Sequence, residues 1–261
     1  MAGEARSPQL DLEEELTCED DNSLEEEEHP AKNIPHRMQQ VLLNWIFVVA
    51  SVCLILDFLS LQDLLRPDKG SEQFAELCNW FGVVSCIGWL LGFILLTHWF
   101  QTVGVPKLTL LTGYIRIVAS ILFNLQPLTG TMNDPAMGGG FSRGGGAGIW
   151  WSNLAGILFF HAGNFLACVS QQLYPAPGYE KAKGWFFHGN LVYTANWVLQ
   201  GATWLLVASN LMACHWGNGA ASWVPTTDPV VFVCQVGGAT SLLIGSLIYL
   251  EWCNGFRDCA H

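Results

Sequence analysis

The segment PVVFVCQVGGATSLLIGSLIYLEW, residues 229–252, holds one charged side chain, Glu251, at its very end. A helix rises 1.5 Å per residue, so about twenty apolar residues cross the roughly 30 Å hydrocarbon core of a bilayer. No pattern of short alternating strands yields such a run. The reading that fits is a membrane-crossing helix, and it extends to the rest of the chain.

Five further runs of the same kind lie near 41–61, 78–100, 107–127, 149–170 and 186–213. The third is the weakest, because Arg116 sits near its centre and Thr109, Thr112 and Tyr114 dilute it. The fifth is longer than a span needs and predicts either a tilted helix or an interfacial turn at 185–188. The expectation is an all-α, polytopic membrane protein with about six transmembrane helices, within a range of five to seven. Its bundle occupies 39–254, and a short tail follows at 255–261.

Composition agrees: 51% of residues are hydrophobic and 13% charged, about half the charge usual in soluble domains. The net charge of -11 belongs to one region. Arg6 and twelve acidic residues within 1–30 account for all of it, and from Ala31 onward ten acids balance ten bases. Residues 1–38, with LDLEEE, CEDD and LEEEE, cannot bury enough surface to offset ordering entropy and read as a disordered acidic tail. A basic surface for nucleic acid is missing, so nucleic acid is excluded as a partner. The partners expected are the lipid bilayer and proteins that meet the acidic tail. A homo-oligomer is left open.

Nine cysteines, scattered mostly through apolar runs without a Cys-x-x-Cys pair, predict neither a disulfide framework nor a zinc site. The opening residues lack the apolar core of a cleavable signal, which leaves the first membrane helix as the targeting element. Counting Lys and Arg in short loops, Lys32, Arg37, Lys107, Lys181, Lys183 and Arg257 fall on one side against Arg66, Lys69 and Arg143 on the other. That asymmetry predicts cytosolic N- and C-termini.

The body repeats itself. Asn44-Trp45, Asn79-Trp80 and Asn196-Trp197 each precede small residues and leucines, and Asn153 and Gln235 lead similar phrases. Such repetition suggests helical hairpins that pack through small faces. The runs NWVLQGATWLLVAS and QVGGATSLLIGSLIYLEW resemble the helices of YrhK-like membrane proteins, over 149–252 and more faintly over 41–100. The resemblance implies paired apolar helices and supplies neither an activity nor site residues.

Polar groups inside hydrocarbon are expensive and are therefore functional candidates. Asp57 and Arg116 form a candidate ion pair or pathway element. Asn44, Asn79, Asn153, Asn196, Gln235 and His161 are candidates for the lining of a polar cavity, as in transporters whose repeats enclose a substrate. The alternative for the amides is interhelical hydrogen bonding within a dry bundle.

His161 and His188, in the similar phrases HAGN and FHGN, raise a haem reading, but their expected depths differ and no cofactor or metal is expected. The glycine-rich 138–146 lacks the strand and the Gly-Lys-Ser/Thr of a phosphate loop and reads as a linker. No catalytic grouping stands out, so an enzyme is not expected. The functional expectation is a small-solute or ion pathway. Its alternatives are a scaffold acting through the acidic tail and, further off, a haem-containing redox protein.

Overall fold

The computed structural model describes residues 34, 36–61, 72–133, 147–175, 190–212, 214–217, 220–223 and 229–253. The acidic tail up to residue 33, the glycine-rich linker, His188 and the 185–188 turn lie outside those residues, while the last two residues of the expected tail, Arg37 and Met38, already belong to the first helix. Within them run six helices: α1 (Arg37–Leu61), α2 (Glu72–Val103), α3 (Lys107–Asn133), α4 (Ala147–Leu173), α5 (Leu191–Met212) and α6 (Pro229–Trp252). A small antiparallel hairpin, β1 (Cys214–Gly217) with β2 (Ala220–Trp223), joins α5 to α6, with Cys214 opposite Trp223.

Local chemistry sets the helix ends. At the end of α2 the Phe100 carbonyl accepts from the backbone N–H groups of both Gly104 and Val105, each at 3.1 Å. Gly104 takes the left-handed conformation this cap requires, with φ 71°. Pro106 follows, and its carbonyl accepts the Leu110 N–H at 3.0 Å to start α3. The Asn190 side chain caps α5 by accepting the Tyr193 N–H at 3.0 Å. That cap sets the start of α5 at Leu191, later than the expected start near 186.

Each helix packs against its neighbours in sequence, and α6 closes back on α1. The result is a ring of six antiparallel helices. Both ends of the described body meet at one end of the ring, where Arg37 Nε donates to the Cys253 carbonyl at 2.8 Å.

Small residues set the close approaches. A Cβ on Gly88 would meet that of Ala50 at 2.9 Å, and one on Gly92 would collide with the Phe47 ring. A Cβ on Gly156 would lie 3.1 Å from the Ala119 carbonyl, and one on Gly245 would lie 2.7 Å from Leu199 Cδ2. Lipid gives no hydrophobic drive between helices, so such van der Waals contacts carry much of their association.

Those contacts also reveal a threefold pattern. Gly92, Gly163 and Gly245 face Phe47, Arg116 and Leu199 in turn. Each of the three faced residues begins a related phrase: FVVAS at 47–51, RIVAS at 116–120 and LQGAT at 199–203. The alanines of these phrases, Ala50, Ala119 and Ala202, are 1%, 0% and 0% exposed. The ring is therefore three hairpins in sequence, α1–α2, α3–α4 and α5–α6.

The surface is apolar, and the interior holds many polar side chains among its apolar ones. Leu42, Val84, Ile121, Phe159, Trp204 and Val233 point outward, whereas Asn44, Arg116, Asn164, Asn196 and Gln200 are buried. Several buried hydroxyls turn back onto their own helix, as Ser51 does to the Phe47 carbonyl and Ser120 to that of Arg116, at 2.8 and 2.9 Å. Five helices, all but α5, contain a segment long and apolar enough to cross a membrane. The chain has an all-α, multi-pass membrane fold.

The third run, expected to be the weakest, is among those five, and the fifth is not. Asn196, Gln200, Thr203 and Asn210 dilute α5, and all four are buried. A helix that turns its polar residues into the ring loses mean apolarity without presenting them to lipid.

Candidate functional site

Two spaces lie within the ring formed by the described residues. The larger, about 500 Å³, opens toward the end where α1 begins and α6 ends. All six helices line it, with Asn44, Trp99, Arg116, Ala167, Asn196 and Tyr249 among its walls. The smaller, about 70 Å³, lies toward the opposite end among Phe58, Ser85, Phe123, Asn153, Asn210 and Gln235.

An aromatic layer separates them. Trp89 and Phe93 border both spaces, Phe47 the larger only and Phe160 the smaller only. Ring centroids stand 4.9 Å apart for Phe47–Trp89 and Phe47–Phe93, and 5.5 Å apart for Phe93–Phe160. These tilted, offset contacts are the preferred geometry of packed aromatic rings.

Arg116 sits against this layer on the side of the larger space. Its Nε donates to Asn164 Oδ1 and its Nη2 to Asn196 Oδ1, both at 3.0 Å. The guanidinium carbon lies 5.8 Å from the centre of the Phe93 ring, within cation–π range. The Tyr249 hydroxyl is in hydrogen-bonding reach of both Arg116 and Asn196. The amides are themselves fixed: Asn196 Nδ2 donates to the Val192 carbonyl at 2.9 Å and Asn164 Nδ2 to that of Leu199 at 3.3 Å. The cation is thus held by neutral oxygens from α4, α5 and α6.

The expected pairing of Arg116 with Asp57 is not what forms. The threefold pattern puts Arg116 level with Phe47, ten residues before Asp57 on α1, roughly 15 Å of helical rise. Asp57 instead lies against α2, its carboxyl about 3.1 Å from where a Gly82 Cβ would stand. The aromatic layer falls between the two charges.

The other candidates divide between the two spaces. Asn44 and Asn196 border the larger, Asn153 and Gln235 the smaller. Asn44 Nδ2 donates to Cys253 Sγ at 3.4 Å, tying the start of α1 to the end of α6. The side chain of Asn79 lies outside the described residues. His161 borders neither space. It lies in the α4–α5 seam beside Gln200, whose Nε2 is 2.9 Å from His161 Nδ1, and edge-on to the outward Trp204 at 4.5 Å. Among the described residues, no group of three His, Cys, Asp or Glu side chains converges as a metal site.

Asn164 was not among the cavity candidates read from the sequence, and Tyr249 and the aromatic layer were missed. Trp99 and Trp252 are buried on the larger space, and Trp204 faces outward. Trp80 and Trp151 face outward at the starts of the apolar spans of α2 and α4. The phrase shared by FVVAS, RIVAS and LQGAT was the signal that aligns the three hairpins and marks Arg116 as the exception among them.

No family model matches this chain, and neither a curated protein nor a solved structure does.

Proposed function

We propose that the chain forms a passage for a small solute or ion across a membrane. One observation carries this reading: two internal spaces, each bordered by all six helices, approach each other from opposite ends of the ring and are divided by a layer of aromatic side chains. That is the arrangement of a pathway whose two halves are open in turn, with a hydrophobic constriction as the barrier. A buried cation beside the barrier supports the same reading, since ionisable groups at membrane depth mark solute routes. The pairing into hairpins accords with the resemblance to YrhK-like helices. The scaffold alternative calls for a dry, filled bundle, and a space of about 500 Å³ weighs against it.

Side-specific labelling tests the passage. Ser246→Cys puts a thiol on the larger space and Ser85→Cys one on the smaller, and mass spectrometry locates the label among the native cysteines. A membrane-impermeant thiol reagent should reach residue 246 from the side of the chain termini and residue 85 from the other side. Protection of both positions from both sides would contradict the reading. With cytosolic termini, the larger space opens to the cytosol.

A further inference from the structure

The walls of the larger space are mainly apolar, with neutral polar groups such as Gln40, Asn44, Thr109, Ser170 and Ser246 among them, yet the group at its inner end is a cation. Phe47, Arg116 and Leu199 hold equivalent places in the three hairpins, each facing a glycine of the partner helix. In two of the three, an apolar side chain satisfies the packing. The fold therefore does not require a charge at this position, and a rule broken once in an otherwise consistent pattern points to function.

We infer that the larger space binds a small organic monoanion, a carboxylate on an apolar body, and that Arg116 receives the carboxylate. The inference rests on reading the ring as a passage and names the class of solute that enters it.

Charge accounting supports an anion. Arginine stays protonated in proteins. Among the described residues, the partners of Arg116 are the oxygens of Asn164 and Asn196, the Phe93 face and the Tyr249 hydroxyl, and none carries a formal negative charge. Amide dipoles lessen the cost of desolvating a guanidinium but leave its charge uncancelled. Asp57 lies beyond the aromatic layer. A guest anion supplies the missing charge.

Shape and lining specify the rest. The two amide bonds engage Nε and Nη2, which leaves Nη1 outside them, and the planar fork of the guanidinium suits a carboxylate. A single cation balances a single negative charge, so a dianion would bring an excess one. Trp89, Leu96, Trp99 and Leu199 border the same space and accept an apolar body that chloride lacks. A volume of about 500 Å³ lies within the range of small-molecule sites, about 300–1,000 Å³.

The test is isothermal titration of the full-length, detergent-solubilised chain with benzoate, benzyl alcohol, benzylamine, chloride and inorganic phosphate. Benzoate should bind at least about tenfold more tightly than each of the others, since charge-assisted hydrogen bonds contribute on that scale. Arg116→Gln should reduce benzoate to the level of benzyl alcohol. Asn164→Asp, which places a carboxylate of the protein beside Arg116, should do the same while the unfolding temperature is held or raised. The comparison of the five probes on the wild-type chain requires no variant to fold.

Equal binding of benzoate and benzyl alcohol, or unchanged benzoate binding in Arg116→Gln, would overturn the inference. Chloride or phosphate binding as tightly as benzoate would overturn the organic class. If liposomes bearing the protein pass other solutes while benzoate does not bind, the inference fails and the passage stands. If neither flux nor binding is found, both fail.

Discussion

A Cβ added to Gly163 would stand 3.0 Å from Cγ of Arg116, so the buried cation lies directly on the backbone of the neighbouring helix. The glycine makes room for the charged side chain, whose head is then placed by Asn164, the next residue on α4. Gly163→Ala should push Arg116 off its two amide bonds and destabilise the fold by about 1–3 kcal/mol, the usual effect of overpacking. Gly163→Leu should cost more. Unfolding in detergent measures both, and an alanine variant as stable as wild type would show that the contact is not tight.

Gly92 and Gly201 form a matched contrast. The Cβ missing from Gly92 would overlap the Phe47 ring, whereas that missing from Gly201 meets nothing within 4 Å. Gly92→Ala should destabilise the chain clearly. Gly201→Ala should be neutral or should stabilise by up to about 1 kcal/mol, through helix propensity alone. The same detergent series reports both, and a reversed order would count against the packing of α1 on α2.

Asp57 and Arg116 should behave as independent sites. Their levels on the helices are about 15 Å apart, and distant residues without shared partners add within about 0.5 kcal/mol. Asp57→Asn and Arg116→Leu, combined in a double-mutant cycle on stability, should show a coupling no larger than that. A coupling of several times that size would restore the ion pair expected from sequence.

Asn196 joins three helices through Arg116, Tyr249 and the Val192 carbonyl. Asn196→Leu keeps the volume but removes the acceptor for Nη2. The cost should be about 1–3 kcal/mol, the effect of orphaning a buried donor. Asn196→Asp should recover the stability lost. Failure of the aspartate to do so would mean that Nη2 does not depend on this oxygen.

Much of this architecture was legible in the chain, because a helix in lipid must be both long and apolar, and such runs stand out without any tertiary knowledge. The regions of all six helices were anticipated. Their ends were not: α2 begins at Glu72 and α3 continues to Asn133, beyond the apolar stretch in each case. Polar turns of helix continue past the hydrocarbon and leave no trace in hydropathy.

The repeat was recognised by its Asn-Trp pairs, but those pairs do not set the register. Asn153 and Gln235 each stand ten residues before the glycines at 163 and 245, whereas Asn79 stands thirteen before Gly92. Depth is fixed by where small residues let two backbones meet, and that pairing spans two helices. Linear reading places an amide on a helix but not the neighbour it faces. For the same reason the candidate residues were found singly, while their division between two spaces and the aromatic layer became visible only in the closed ring.

The most direct test of the passage is solute flux through liposomes reconstituted with wild-type protein and with Phe93→Ala, which removes one ring bordering both spaces. Glycerol, glycine, benzoate, chloride and sodium span the charges and sizes of interest. The account predicts that at least one solute crosses faster than in protein-free liposomes and that Phe93→Ala, once shown to be folded, raises its rate further. Rates equal to those of protein-free liposomes for every solute, in wild type and in the folded variant alike, would contradict it.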